Sequence, residues 1–583
     1  MGEPMYDYII VGGGTAGATV AKILSDNRKN SVLLLEAGED NDNDEPIFNS
    51  IFAPVLQNLF FARYFWQGQG VPQDELNNRT FPWTTGRLLG GASSVNRQLW
   101  VRPTDAVISN WEELLGPLWS PEAVIERFKD LEKYNGLTDN PEARGFKGRV
   151  DVRQAPAEPT NMAEKLVTAI EDATGFKRIL DYNNPDTPIG PFTRNQYTQH
   201  PDGTRESSST AFLTPDVVDD EGFGVNGRRL RVLTKATALR IIFCGKTACG
   251  VRYLKDGKPC EAFSDKKVIV SAGMKSPSFL MRSGIGPADE LEGVGIDVVK
   301  DNINVGMHMA NHAIIPVLFS TNPNDTPVPP NDPNAHLIAG AFLPDPATGS
   351  DKALRSVQIE PFFSNNTLIV GVSPIQPKSR GTVEIQSSDP LKIELGDEEF
   401  LDDPDDLRLL MDIFTIYIKD IATELSNIDP LYQLLSPTMD IINDPVQLEA
   451  FIRQNLSLTF HEESTLRMSN SEANGVTNFR GEVFGISNLV VADNSIIPFT
   501  ADGNTSAPAY LIGFTIANQL LKEEERECEC KEICEKVCKY ECNEKCKEAC
   551  IKECKEICKE ECEDDCKRGI FKRILERMRK RNS

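Results

Sequence analysis

An α/β fold, with a Rossmann-like nucleotide-binding unit at its amino-terminal end, a second domain and a helical tail, follows from three features of this 583-residue chain. The first is YDYIIVGGGTAGATVAKILSD, residues 6–26: an apolar strand, a glycine turn and an amphipathic helix in that order. The second is SVLLLEAG, residues 31–38, which reads as a second buried strand behind that helix. The third is length: a chain of this size does not close around one hydrophobic core, so two packed domains and an appendage are expected. The hydrophobic fraction of 40% and the 41 glycines belong to a globular protein, not a disordered one.

The glycine turn carries chemistry. Gly12 permits the tight turn, Gly14 lets a pyrophosphate approach the backbone, and Gly17 lets the helix pack on the strand; Thr15 and Ala16 belong to the same contact. Glu36 ends the second strand nineteen residues after Gly17. A carboxylate there accepts hydrogen bonds from an adenosine ribose and repels a 2′-phosphate, which favours FAD or NAD over NADP.

A second glycine-rich stretch, TTGRLLGGASSVNRQLWVRP from Thr84 to Pro103, decides between those two. Its Gly86, Arg87, Gly90, Gly91, Ser93, Ser94 and Asn96 resemble the first signature of the glucose-methanol-choline (GMC) oxidoreductases, flavoproteins that oxidise alcohols. The resemblance implies FAD, held along the flavin by this loop, with Asn96 near the ring system. Val95 stands where some members carry the histidine that links FAD covalently, so a non-covalent cofactor is implied.

Further stretches resemble the same family in order. RVLTKATALRI, which includes Ala236, is similar to the strands that touch adenine, and VIVSAGMKSPSFLMRSGIGP (268–287) to the second signature. PKSRGTVEIQSSDP and LDDPDDL resemble part of the substrate-domain sheet and the helix after it. GISNLVVADNSIIPFTADGNTSAPAYLIGFTIANQL, which includes Asp493, Asn504 and Thr505, resembles the closing FAD strand and helix. The implied FAD domain is discontinuous, from 1–150, 225–310 and 480–521. Residues 151–224 and 311–479 then form an α+β substrate domain with an antiparallel sheet, and 522–583 the tail.

LTFHEESTLRMSN, residues 458–470, resembles the family's carboxy-terminal active-site segment: His461, Thr465 and Met468 match, whereas the proline, both glycines and the cysteine do not. Asn504 matches the second active-site position. The resemblance implies an alcohol CH–OH oxidised by hydride transfer to flavin N5, with His461 as base and Asn504 orienting the oxygen. A neutral imidazole, with an ordinary pKa near 6.5, suits that task at neutral pH. Glu462 and Glu463, facing inward, would raise the pKa of His461 and weaken it as a base; pointing to solvent, they would do nothing. His308 and His312, four apart in NVGMHMANHA, lack further ligands at metal spacing; a structural role and no metal are expected.

Charge and cysteine divide the chain. The net charge is −25; residues 522–566 carry net −7 and 567–583 net +7, so the body accounts for all of it and should repel nucleic acid. There is no apolar run of 18 residues for a membrane span, and a core strand beginning at Tyr6 leaves no room for a signal peptide, so synthesis in the cytosol is expected. Cys244, Cys249 and Cys260 read as buried or half-buried thiols. The other eleven cysteines lie between Cys528 and Cys566, and from Cys530 onward one occurs at every fourth position.

No glycine or proline interrupts residues 522–568, so a helix is expected. Neighbouring cysteines on one helix sit about 5 to 6 Å apart at Cβ, too far for a disulfide. Bridges to another helix or another chain, soft-metal binding, and reduced thiols on a solvated helix remain as alternatives. The last segment sets Ile570, Phe571, Ile574, Leu575 and Met578 on one face among Lys and Arg. It reads either as a solvated helix or as a contact for nucleic acid, an anionic surface or the acidic body.

Two functions follow. One is an FAD-dependent alcohol oxidase or dehydrogenase that uses a small alcohol and dioxygen or another electron acceptor. The other is a homo-oligomeric structural protein of a virion, cross-linked through its tail, because the layout resembles GMC-like proteins with cysteine-rich extensions in large DNA viruses.

Overall fold

The computed structural model describes residues 4–40, 63–327, 332, 337–348 and 354–541, with side chains to residue 526. The expected βαβ start is present as β1 (Met5–Val11), α1 (Thr15–Asp26) and β2 (Ser31–Leu35). All five residues of β2 and the end of β1 are buried, because a parallel sheet is covered on both faces. Distant segments complete this sheet: β3 (Arg229–Leu233), β4 (Ala236–Cys244), β5 (Thr247–Lys255), β6 (Lys258–Val270) and β7 (Leu489–Val491). Their order is β4-β5-β6-β1-β2-β3, with β7 beside β6. β6, β1, β2, β3 and β7 pair in parallel, whereas β4, β5 and β6 form an antiparallel meander.

A second, antiparallel sheet orders its strands as Leu434–Ser436, Ala313–Phe319, Thr367–Pro374, Val357–Ser364, Gly340–Leu343 and Gly190–Phe192. Along Ala313–Phe319 every second residue is buried, the period of a strand with one covered face. The helices Asn161–Thr174, Pro404–Asp412 and Lys419–Ile428 supply Leu166, Ile170, Leu410, Ile421 and Leu425 to the core beneath it.

Three expectations are corrected here. PKSRGTVEIQSSDP does not join the large sheet; its Thr382–Glu384 pairs with Leu395–Asp397 as a separate two-stranded ribbon. A division after residue 150 cuts the strand Val150–Ala155, which pairs with Glu132–Asn135 and Asn195–Thr198 in a small sheet of its own. Cys244 and Cys249 are not thiols but a disulfide at the turn between β4 and β5, with Cα atoms 5.9 Å apart.

Met1–Thr515 form one compact unit and Ile516–Ser583 another. The helix Ser506–Glu541 carries the start of the cysteine-rich tail, as its composition predicts. The fate of its cysteines and the basic last segment lie outside the described residues. No helix among the described residues is long and apolar enough to cross a membrane.

Candidate functional site

The carboxyl ends of four parallel strands open on one cavity. Gly12 follows β1, Glu36 follows β2, Ser271 follows β6 and Asp493 follows β7, and all four line it. This is where a doubly wound sheet leaves its crevice. The empty space, open solvent at its mouth included, is about 1260 Å³. Of the residues assigned to a cofactor by sequence, Gly12, Gly14, Thr15, Ala16, Glu36, Gly91, Ala236, Asp493 and Thr505 are in the wall.

The remainder stand behind it. A Cβ on Gly17 would lie 1.9 Å from the Gly12 carbonyl oxygen, so its absence lets α1 meet the end of β1. Gly90, at φ +86°, donates its N–H to Gly13 (2.8 Å) and ties the two glycine loops together. The Arg87 guanidinium lies over Trp66, a wall residue, and Ser94 Oγ donates to the Leu89 carbonyl (2.8 Å). Asn96 Oδ1 is occupied by Arg205 Nη1 (2.9 Å) and the Gln98 N–H (2.9 Å). Arg205 carried no sequence signal.

Next to the wall, between Phe460 and Glu462, stands His461. Its Nε2 is 3.4 Å from Asn504 Nδ2, so the two residues singled out for catalysis do meet, across 43 positions of sequence. Asn504 is gripped from the second sheet: Gln358 Nε2 donates to its Oδ1 (2.8 Å), and its Nδ2 donates to Glu360 Oε1 (3.2 Å). His461 is held by its backbone N–H, which donates to Asn311 Oδ1 (3.0 Å), and by its ring, whose Nδ1 is 3.0 Å from Nδ1 of His312. His312 is thus hydrogen-bonded at the site itself.

The glutamates behind His461 do not hold it as imidazolium. Burial first, then the neighbouring His312 ring and Arg97, hold the His461 pKa well below its usual value, which favours the neutral imidazole. Burial pushes Glu462 up to about 7 and Glu463 well above the carboxylate range, which weakens the negative charge that would have favoured an imidazolium. Glu463 has a building role instead: its carboxyl accepts the Ala501 N–H (3.0 Å), three residues before Asn504. Its backbone pairs with Ala310 in both directions.

Residues 6–314 and 377–513 match the amino- and carboxy-terminal family models described as GMC oxidoreductase, and the first alone spans more than half of the chain. The chain belongs to the GMC oxidoreductase family. It is 26% identical over 547 residues to the 5-(hydroxymethyl)furfural oxidase of Methylovorus sp., covering 90% of this chain and 100% of that relative. It is 28% identical over 560 residues to an alcohol dehydrogenase [acceptor] of Pseudomonas putida, covering 89% and 96%. In fold it is similar to pyridoxine 4-oxidase from Mesorbium loti, with a TM-score of 0.77, 24% identity, and 88% and 99% of the two chains covered.

The cofactor of this GMC oxidoreductase is FAD, and its residues fit one. Gly14 and Gly91 bring two loops together backbone to backbone: a Cβ on Gly91 would sit 2.7 Å from the Gly14 Cα, which leaves both loops free to present N–H groups to a pyrophosphate. Glu36 is oriented by the N–H groups of Gly13 and Gly38 (both 2.8 Å) at the end of β2, where a ribose is expected. Sequence reading missed Gln358 and Glu360, which grip Asn504, and Arg205, which holds Asn96. Gln358 and Glu360 are two apart on one strand and so share a face, but no spacing ties that strand to Asn504.

Proposed function

We propose that this GMC oxidoreductase oxidises an alcohol CH–OH to a carbonyl, with His461 as the base and dioxygen or another molecule as final electron acceptor. Bound FAD is the two-electron acceptor for the hydrogen on carbon. The hydroxyl proton goes to Nε2 of His461, which burial keeps unprotonated at neutral pH. Asn504 Nδ2, turned toward the same nitrogen by Glu360, donates to the substrate oxygen as negative charge develops on it. The close approach of His461 and Asn504, 43 positions apart in sequence, is the observation that carries this reading. The furfural oxidase and alcohol dehydrogenase among the relatives support CH–OH donors as the class.

The test is anaerobic addition of aromatic, aliphatic and sugar alcohols to the purified yellow protein, following loss of flavin absorbance. At least one class should bleach it. His461→Ala should slow bleaching by roughly 10²- to 10⁴-fold, the usual worth of a general base. A protein that stays yellow with every alcohol while forming multimers on oxidation would instead favour the particle-component alternative.

A further inference from the structure

His312 lies behind His461, away from the cavity wall, and its ring has two partners. Nε2 is 3.0 Å from the carbonyl oxygen of Ala501, and Nδ1 is 3.0 Å from Nδ1 of His461, with the two rings edge to face at 5.1 Å. A backbone carbonyl only accepts, so Nε2 of His312 carries its hydrogen. A neutral imidazole has one N–H. Nδ1 of His312 is therefore a lone pair, and the hydrogen between the two Nδ1 atoms belongs to His461.

The opposite side of His461 leads independently to the same tautomer. Glu360 Oε1 takes hydrogen bonds from Gln358 Nε2 (2.8 Å) and Asn504 Nδ2 (3.2 Å), which orients both amides with their NH₂ groups toward the carboxylate. The Asn504 NH₂ is then also the group that faces His461 Nε2, 3.4 Å away. A donor there requires a bare Nε2 on the ring. A main-chain carbonyl at one end and a carboxylate at the other thus fix one hydrogen pattern through four side chains.

We infer that His312 is a positioning residue: by accepting the Nδ1–H of His461 it holds that imidazole in the tautomer whose bare Nε2 faces the site. It also stabilises the positive charge His461 gains when a proton arrives at Nε2, because the Nδ1–H bond then becomes charge-assisted. The same ring anchors the loop that carries Asn504, since its other nitrogen is fastened to Ala501. The catalytic consequence rests on His461 being the base; the tautomer does not.

The experiment uses full-length holoprotein with ¹⁵N-labelled histidine, which has five residues to assign. His461 should show a pyrrole-like Nδ1 and a pyridine-like Nε2. The reverse pattern overturns the inference. In His312→Leu, with the flavin spectrum retained, only the longer Asn504 contact (3.4 Å) still favours that tautomer, so His461 should average partly between tautomers, and kcat for a responsive alcohol should fall roughly 10- to 100-fold with little change in KM. In His312→Gln, whose amide oxygen can accept the Nδ1–H, the single tautomer and most of the rate should return. A single unchanged tautomer in His312→Leu defeats the inference even if alcohols are oxidised. The expected wild-type and variant spectra with no responsive alcohol would uphold it while defeating the proposed activity.

Discussion

At Glu36 two opposing effects meet. Burial pushes its pKa up to about 7, and the N–H groups of Gly13 and Gly38 and the nearby Arg87 charge only partly oppose this. An ionised carboxylate accepts from both ribose hydroxyls, whereas a protonated one must give up an acceptor, so FAD favours the ionised form. The sign follows: affinity should rise as pH rises through about 7, because binding expels a proton. Titrating apoprotein with FAD at about pH 6 and about pH 8 checks this, and Glu36→Gln should remove the slope and weaken binding roughly tenfold. Ser464 offers a second test. It sits where the family segment has glycine, yet keeps a left-handed backbone at φ +71°, and its buried Oγ has no hydrogen-bond partner among the described residues. Ser464→Gly should relieve that conformation and raise stability by about 1 kcal/mol, read as a higher unfolding midpoint. The demand for glycine was thus legible as a departure from the motif. The direction of the His461 shift was not, because burial is its largest cause and burial is a property of the folded chain.

The elements that were legible are those whose function is local. Gly12, Gly14 and Gly17 shape one turn, and β1, α1 and β2 follow them in an unbroken run, so residue order alone describes the unit. The small sheet around Glu132 had no such signature. Glu132 begins the strand Glu132–Asn135 fully buried, 2.5 Å from Arg102 Nη2 and 3.0 Å from Arg144 Nε. It also accepts from Trp100 Nε1 (2.9 Å) and the Gly145 N–H (2.9 Å). Arg102 lies at the end of the glycine-rich stretch, so this ion cluster ties that stretch to the small sheet. Glu132→Gln keeps the shape and removes the charge, leaving Arg144 only Asp181 at 3.3 Å and Arg102 no equivalent ion pair among the described residues. Breaking one partner of a buried cluster costs about 3 to 5 kcal/mol, so the variant should unfold at markedly lower denaturant. A midpoint shift below about 1 kcal/mol would show that water or a rearranged side chain replaces the lost charge. Among 26% charged residues, nothing in the sequence distinguishes these from solvated ones.

At the scale of the molecule, all the chemistry described here belongs to one part of the chain. The family models end at residue 513, and the residues of the cavity wall all precede Ile516, where the second compact unit begins. The eleven tail cysteines and the basic last segment lie beyond both. Relatives covered over 96% to 100% of their own length match only 89% to 90% of this chain, so the extra length is not shared with them. A chain ending after Lys522 should therefore stay yellow and keep its rate with any responsive alcohol within about twofold of the full-length protein, since the site residues keep every partner named here. If the tail serves cross-linking between copies, only the full chain should form multimers that a thiol reductant dissolves, as read on non-reducing gels after mild oxidation. Loss of flavin on truncation would place part of the cofactor's support in the tail and contradict this division of labour. Equal multimer formation by both chains would move the cross-link to Cys260, the one free cysteine among the described side chains.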